Sequence, residues 1–139
     1  MRALLLHTNR FESRLVEPSS RPVAIEPEDP SGSNGKMTQC LSVLFCAEKD
    51  DATKQLVDLY HEILKTAEEL GVQNILISPF VHLSSSIASP AKAKALYEQL
   101  LKKMAETHFA VASSHFGYHK SLLLDIKGHP GAFRYREFY

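Results

Sequence analysis

Residues 40–78 read CLSVLFCAEKDDATKQLVDLYHEILKTAEELGVQNILIS, and this stretch decides the fold. Cys40–Ala47 is apolar on both alternating faces, which predicts a central strand buried on two sides. Apolar residues three and four apart then indicate an amphipathic helix, capped by Asp50 or Asp51 and ended by Gly71. Asn74–Ser78 is a second apolar strand. The order strand, helix, strand predicts a βαβ unit with parallel strands.

A second crossover follows the first along the chain. Ser89 and Pro90 form an N-cap with proline at the first helical position, and they open a helix that is predicted to end near Thr107. Phe109–Ser113 reads as the next strand. We therefore expect three parallel strands in one sheet, with the two helices as their connections.

The outer segments predict antiparallel strands. Ala3–His7 and Phe11–Val16 read as two strands, with Thr8–Arg10 as the turn between them. Lys120–Ile126 and Ala132–Phe138 read as a closing antiparallel pair, joined by a segment that contains glycine and proline. Together with the parallel unit, they predict a single α/β domain with a mixed sheet and two main helices.

Residues Glu17–Gly35 have a different composition from the rest of the chain. They contain four prolines and a serine- and glycine-rich run, which is typical of a loop, with a short strand at Val23–Ile25. A functional loop and an excursion without a function are both compatible with this composition. We interpret the segment as an excursion.

The length of 139 residues suits one domain, and 44% hydrophobic with 23% charged residues is ordinary for a folded protein. Lys plus Arg and Asp plus Glu are 16 each, so the net charge is zero. This balance counts against a generic polyanion binder but leaves room for a local basic site. Two cysteines give no disulfide framework, and no stretch reaches the roughly 20 apolar residues of a membrane span. We expect a soluble, cytoplasmic protein.

Polar side chains follow the predicted parallel strands at the point where each strand ends. The exits read AEK (Ala47–Lys49), SPFVHLSSS (Ser78–Ser86) and SHFGYHK (Ser114–Lys120). Because the carboxyl ends of parallel strands meet at one edge of a sheet, the loops that carry His82, His115, His119 and Lys120 converge there. The sequence therefore predicts a pocket at this edge.

Several chemistries are possible for such a pocket. His115 and His119 are four residues apart, a spacing that places two zinc ligands on one face of a helix. The flanking strands argue against a helix here, and no cysteine or carboxylate completes the ligand set. We therefore predict no metal. Ser84–Ser86 lacks a nucleophile elbow and suits helix capping. Lys120 can orient a water or bind an oxygen, or it is a strand-end surface lysine. The lysines at 92, 94, 102 and 103 form a solvated helix face that could also meet an anionic backbone.

Four motifs in register carry a family resemblance. They read MRALLLH (Met1–His7), ISPFVHLSS (Ile77–Ser85), HFGYHK (His115–Lys120) and KGHP (Lys127–Pro130). Together they closely resemble the N-terminal editing domain of archaeal threonyl-tRNA synthetases. The resemblance implies a D-aminoacyl-tRNA deacylase-like fold, a homodimer in the cytoplasm, and a domain without metal or other cofactor. It also implies that residues 1–139 are a fragment of a longer synthetase chain.

Members of that family hydrolyse serine wrongly attached to threonine tRNA. The need is physical, because a site shaped for threonine gains only about 1–3 kcal/mol from one methyl group and cannot exclude serine. The partner would be the acceptor end of seryl-tRNA, and the synthetase catalytic domain would act with this domain in cis or in trans. A D-aminoacyl-tRNA deacylase and a non-catalytic tRNA-binding module are the alternatives.

The resemblance also assigns site residues. It places ligand contacts at Ala47, Pro79, Val81 and Phe116, and polar pocket residues at His82, Tyr118, His119 and Lys120. In the implied mechanism the vicinal 2′-hydroxyl of the tRNA helps water attack the ester, Lys120 orients the water or the carbonyl oxygen, and His82 and His119 complete the hydrogen-bond frame. Two positions depart from the family. His119 stands where the family often has tyrosine, and Phe133 stands where it often has an acidic residue, with Glu137 nearby in sequence.

Overall fold

A computed structural model describes all 139 residues of the chain. The elements, in chain order, are β1 (Arg2–Pro18), β2 (Lys36–Cys46), α1 (Thr53–Leu70), β3 (Asn74–Pro79), α2 (Pro90–Ala105), β4 (Ala110–Ser113), β5 (Tyr118–Ile126) and β6 (Phe133–Glu137). Two short 3-10 turns lie at Pro30–Gly32 and Val81–Leu83. Neither α-helix is long and apolar enough to cross a membrane.

The predicted parallel unit is confirmed. The strand order in the sheet is β4-β3-β2-β1-β5, with β2, β3 and β4 parallel to one another. Both helices pack on one face of this sheet, where the buried residues Leu56 and Ile63 of α1 and Leu100 of α2 join the core. The predicted α/β class with a mixed sheet is confirmed, and the carboxyl ends of the three parallel strands meet at one edge.

The helix boundaries differ from the prediction at one end. The N-cap of α1 is Ala52 rather than Asp50 or Asp51. Asp51 is buried, and its carboxylate is already engaged, because it accepts hydrogen bonds from the Met1 amino group at 2.6 Å and from Glu48 N at 2.6 Å. Gly71 ends α1 in the left-handed conformation, with φ 67°, as predicted.

The second helix follows its predicted start. Ser89 is its N-cap and Pro90 its first residue, and the helix ends at Ala105, two residues before Thr107.

The predicted hairpin at the start of the chain is wrong, because β1 is one strand of 17 residues. Thr8, placed in the expected turn, is fully buried, and its hydroxyl donates to Leu6 O at 2.9 Å and hydrogen-bonds Ser42 Oγ at 2.9 Å. The pairing register with β5 shifts between Thr8 and Arg10. A bulge of this kind bends a strand without ending it, so the polar triplet marks a bend in β1 and not a reversal.

The predicted closing pair is also wrong, because β5 and β6 both pair with β1 and not with each other. The last residue of β5, Ile126, lies opposite Thr8, and the first residue of β6, Phe133, lies opposite Leu6. Both strands run antiparallel to β1 along the same edge. They are therefore two parts of one interrupted strand, and residues 127–132 between them form a loop, the detour, that leaves this edge of β1 and returns to it.

The proline-rich loop, residues 19–35, contains no strand at Val23–Ile25, because Val23 and Ala24 form an exposed turn. The loop is tied to the segment Phe116–Tyr118, which we call the corner. Ser19 N donates to Gly117 O at 2.8 Å, Glu28 N donates to Phe116 O at 3.1 Å, and Tyr118 Oη donates to Glu28 O at 2.7 Å. The interpretation of this loop as an excursion without a function is not supported, because the loop also forms one wall of the cavity described below.

Candidate active site

A cavity of about 280 Å³ lies at the sheet edge where the parallel strands end. Its size is at the lower end of the usual range for small-molecule sites, roughly 300–1,000 Å³. Four segments form its walls: the proline-rich loop with Ser19, Arg21, Pro22 and Ile25; residues Ser78–His82 after β3; the entry of α2 with Ile87, Ala88, Pro90 and Ala93; and Phe116–Lys120 with Leu122.

Most of the predicted site residues line this cavity. They are Pro79, Val81, His82, Phe116, Tyr118, His119 and Lys120. Ala47 does not line it. Ala47 is buried in the core, and its carbonyl accepts a hydrogen bond from Ala88 N at 3.0 Å, so it supports the cavity wall from behind.

Lys120 is the cavity residue with the most unusual environment. Its ammonium donates to His115 O at 2.6 Å and to Ser114 Oγ at 3.1 Å, and Ser114 Oγ in turn donates to Ser78 Oγ at 2.8 Å. Burial lowers the pKa of Lys120 from 10.5 to about 8, and the nearby charge of Glu28 opposes this effect. Since an ammonium has three hydrogens, one N–H is left without a protein acceptor. Lys120 is therefore held as a donor at the cavity wall, which excludes the alternative of a strand-end surface lysine.

The two other predicted catalytic residues lie at the mouth of the cavity. His82 is exposed and makes an edge contact with Phe80, with ring centroids 5.1 Å apart. His119 is exposed on β5, opposite Glu17 of β1. Both imidazoles can reach a ligand from the solvent side, while Lys120 lies on the buried side.

His115 and His119 do not converge on one point, although they are four residues apart. His115 is buried, and its Nε2 hydrogen-bonds the carbonyl of Pro30 at 2.9 Å, whereas His119 is exposed. The residues between them form the corner and the start of β5 and not a helix, as predicted. No group of three histidine, cysteine or acidic side chains has a geometry that could hold a metal ion.

The corner is held in a conformation that requires glycine. Gly117 has φ +87°, and a Cβ atom at this position would lie 2.7 Å from Pro27 Cα. The neighbouring Phe116 ring stacks on Tyr97 of α2, with centroids 5.9 Å apart and planes at 23°. These contacts give the cavity a rigid backbone wall.

The serines after His82 have structural partners. Ser84 Oγ donates to Glu48 Oε1 at 2.5 Å and accepts from Ser86 N at 3.0 Å, while Lys49 N donates to Ser86 O at 3.0 Å. The loop hydroxyls thus fasten the cavity wall to the end of β2. The predicted helix capping by Ser84–Ser86 is wrong, because the N-cap of α2 is Ser89.

Phe133 and Glu137, the two positions considered for an acidic site residue, both lie on β6. Phe133 is 61% exposed on β6 and does not line the cavity. Glu137 accepts hydrogen bonds from the hydroxyls of Tyr135 and Tyr139, so its carboxylate is engaged outside the cavity. Neither position contributes to the cavity of its own chain.

Sequence reasoning missed two residues that build the site. Glu28 accepts hydrogen bonds from Tyr97 Oη and from Phe116 N, both at 2.7 Å. Tyr97 lies among the buried residues of α2, a position that indicates core packing and gives no sign of a hydrogen bond to Glu28. No periodicity or motif marks Glu28, because it lies in the proline-rich loop and reaches its partners only through the tertiary fold.

Comparisons with known proteins agree on one family. A sequence model of the archaea-specific editing domain of threonyl-tRNA synthetase matches residues 1–138. Threonine–tRNA ligases of Methanococcus aeolicus and Thermococcus onnurineus are 34% and 32% identical to the chain in alignments of 133 positions that cover 94% of it. The chain spans only 20% and 21% of those two relatives.

The solved structure of a protein named c-Myc DNA Unwinding Element Binding Protein has the same fold. It superposes with a TM-score of 0.70 over 99% of this chain and 98% of that one, at 13% sequence identity. At this identity, the likeness concerns the fold alone.

Proposed function

The chain belongs to the archaea-specific editing-domain family of threonyl-tRNA synthetases, and we propose that its cavity hydrolyses L-serine mischarged on threonine tRNA. One observation carries the proposal: a buried lysine ammonium, with one N–H free of protein acceptors, forms part of the wall of a small cavity beside a rigid backbone corner. Such a donor can bind the carbonyl oxygen of an ester and stabilise the negative charge that develops on it.

The cavity walls suit selection by size. Proofreading requires a site that admits serine and rejects threonine, which is larger by one methyl group. Pro79, Phe116 and Gly117 provide a wall that cannot retract easily, because the corner is held by Pro27 and by stacking on Tyr97. A rigid wall turns a small difference in volume into a steric clash.

The proposed reaction is attack of a water oxygen on the carbonyl carbon of the ester. The bond from that carbon to the ribose oxygen breaks, the ribose oxygen takes up a proton, and serine and tRNA are released. No cysteine lines the cavity, and the hydroxyl of Ser78 is bonded to Ser114 and not to a histidine. This supports a water nucleophile over a covalent intermediate, and we propose that the vicinal 2′-hydroxyl of the terminal adenosine positions that water.

His82 and His119 complete the proposed site from the solvent side. Their positions at the mouth suit hydrogen bonds to the terminal ribose or to the serine hydroxyl. Arg21, from the proline-rich loop, lines the same cavity and supplies a guanidinium that can bind a nearby phosphate.

A panel of esters tests the proposal. Purified protein is mixed with threonine tRNA carrying L-serine, L-threonine or a D-amino acid, and loss of each ester is followed under single-turnover conditions. We expect only the L-seryl ester to be cleared. Clearance of the D-aminoacyl ester alone would assign a D-aminoacyl-tRNA deacylase, and salt-sensitive binding with no hydrolysis would assign a tRNA-binding module.

Two variations test the mechanism. Lys120→Met should reduce hydrolysis of the L-seryl ester about 100-fold or more, the usual effect of losing one oxyanion donor. Lys127→Met is the matched control, because Lys127 bonds Asn9 Oδ1 away from the cavity. A tRNA ending in 2′-deoxyadenosine, charged on its 3′ oxygen, should resist the parent protein. Cleavage of that substrate at the parental rate would refute assistance by the 2′-hydroxyl.

We further propose that the domain acts as a cytoplasmic homodimer, with a synthetase catalytic domain in cis or in trans. Phe133 and Tyr135 support the dimer, because both are exposed and lie on the same face of β6, opposite Leu6 and Leu4 of β1. Light scattering of the purified protein and of Phe133→Ser should give a dimer and a monomer, respectively. A monomeric parent would refute this part of the proposal.

A further inference from the structure

Glu28 joins three parts of the site through a single side chain and its backbone. Its Oε1 accepts hydrogen bonds from Tyr97 Oη on α2 and from Phe116 N at the corner, each at 2.7 Å. Its own N–H donates to Phe116 O at 3.1 Å, and its carbonyl accepts from Tyr118 Oη at 2.7 Å. Phe116 and Tyr118 line the cavity, so Glu28 fixes the wall against which a ligand would rest.

The same carboxylate is connected to Lys120 through one peptide group, because the N–H of Phe116 donates to Glu28 Oε1 at 2.7 Å and the adjoining carbonyl of His115 accepts from the Lys120 ammonium at 2.6 Å. Burial disfavours the Lys120 ammonium, and attraction to Glu28 is the effect that favours it. The other titratable or charged groups around the ammonium are Arg21, His82, Tyr118 and His119 in the cavity wall and the buried His115 beside it. None of these carries a carboxylate, and the cavity lining contains none. On the paired strand β1, Glu17 lies opposite the exposed His119.

A carboxylate placed in this way does two things at once. As a hydrogen-bond acceptor it orders the corner, and as a charge it keeps the buried lysine protonated and able to donate. A residue that only held the corner in place would need the acceptor atom but not the charge.

We infer that Glu28 is a positioning residue, which acts on the reaction through the corner and through the charge state of Lys120 without touching the substrate. Its relevance to catalysis rests on the proposed function, but its effect on Lys120 does not.

Titration of Lys120 in the absence of tRNA tests the inference directly. The lysine side chains are labelled with 13C at Cε, and their chemical shifts are followed by NMR from pH 6 to pH 11, with Lys120→Met to assign the Lys120 signal. We expect Lys120 in Glu28→Gln to lose its proton at lower pH than in the parent, with an increase of about threefold or more in its dissociation constant.

Two controls separate charge from structure. Glu26→Gln removes a charge from the same loop. Glu26 is exposed and its carboxylate pairs with Lys94 at 3.7 Å, so the Lys120 signal should titrate as in the parent. Tyr97→Phe removes one of the two donors to Glu28 and keeps the charge and the stacking on Phe116. It should lower the stability of the domain and leave the Lys120 titration in place.

Kinetics supply the second measurement. If the parent hydrolyses seryl-tRNA with the protonated Lys120, its rate falls at alkaline pH, and this fall should begin at lower pH in Glu28→Gln. A parent without any hydrolysis would refute the proposed function and leave the NMR result to decide the inference.

Should Glu28→Gln fail to fold, Glu28→Asp, which withdraws the carboxylate, should displace the Lys120 titration in the same direction. Coincident titrations of Lys120 in the parent and in the folded Glu28 variant would overturn the inference.

Discussion

Lys120 should make the stability of this domain depend on pH in a measurable way. Burial lowers the pKa of its ammonium from 10.5, the ordinary value in an unfolded chain, to about 8. Between these two values the unfolded chain binds more protons than the folded one. The free energy of unfolding therefore rises with pH in this window, and the contribution of Lys120 is smallest below pH 8.

The size of the effect follows from the two pKa values. Between pH 7 and pH 9, a single group with these values adds about 1.4 kcal/mol to the free energy of unfolding. Lys120→Met lacks this contribution. It also leaves His115 O and Ser114 Oγ without the lysine donor, but that loss does not vary with pH and cancels when the two pH values are compared.

Urea unfolding followed by circular dichroism at pH 7 and pH 9 measures the difference. With a slope of about 1–3 kcal/mol per molar urea, the parent midpoint should gain about 0.5–1.4 M relative to Lys120→Met between the two pH values. Lys65→Met, which removes an exposed lysine of α1, should behave like the parent. Parallel changes in the parent and Lys120→Met would show that the Lys120 ammonium is not destabilised by burial and would refute the reasoning.

Two further predictions concern the corner and a histidine pair. Gly117→Ala should destabilise the domain by about 2–5 kcal/mol, because alanine is strained in the left-handed conformation and its Cβ would clash with Pro27. Gly32→Ala is the control, since nothing lies within 4 Å of the added Cβ. Equal urea midpoints for the two variants would contradict the prediction. Burial, together with repulsion from His129, Lys127 and Arg134, lowers the pKa of His7 from 6.5, so the unfolded chain binds the extra proton and stability should fall as the pH drops below about 6.5. His7 Nδ1 hydrogen-bonds His129 Nε2 at 2.8 Å, and His7→Asn keeps an acceptor close to that position but cannot take up a proton. This variant should lose less stability than the parent between pH 7.5 and pH 5.5. An equal loss would count against the prediction.

The parallel half of the fold could be predicted because its signals are local. An apolar run such as Cys40–Ala47 has few alternatives to a buried strand, and Gly71 ends α1 for a reason that lies in its own backbone. The convergence of His82, His119 and Lys120 on one cavity then followed from topology alone, because parallel strands end at the same edge. His115 of the same loop does not line the cavity, because its imidazole is buried against the carbonyl of Pro30.

The antiparallel half could not be predicted in the same way. Whether Thr8–Arg10 turns the chain or only bends it depends on whether partner strands are present on both sides, and β2 and β5 come from distant parts of the sequence. The detour between β5 and β6 likewise contains glycine and proline, as a hairpin turn would. Local composition is the same in both cases, and only the long edge of β1 decides between them.

Glu28 shows a different limit of sequence reading. Its partner Phe116 is 88 residues away, and the contact joins a side chain to a backbone N–H. A donor of this kind exists at every residue except proline, so the partner's identity carries no signal. A loop with irregular backbone can form the wall of a site without any pattern that marks it.

The central position of β1 has a consequence for synthesis of the protein. One edge of this strand pairs with β2, which is complete at residue 46, while the other edge pairs with strands that end at residues 126 and 137. At a translation rate of about 5–20 residues per second, the second edge lacks its partners for roughly 5–18 s after the first has formed. Until then a nascent chain carries a strand edge that is unpaired or only partly paired, which is a template for pairing with other chains. The first strand of the domain to be made is thus the last to be fully paired, and part of its edge stays open until β6 has been synthesised.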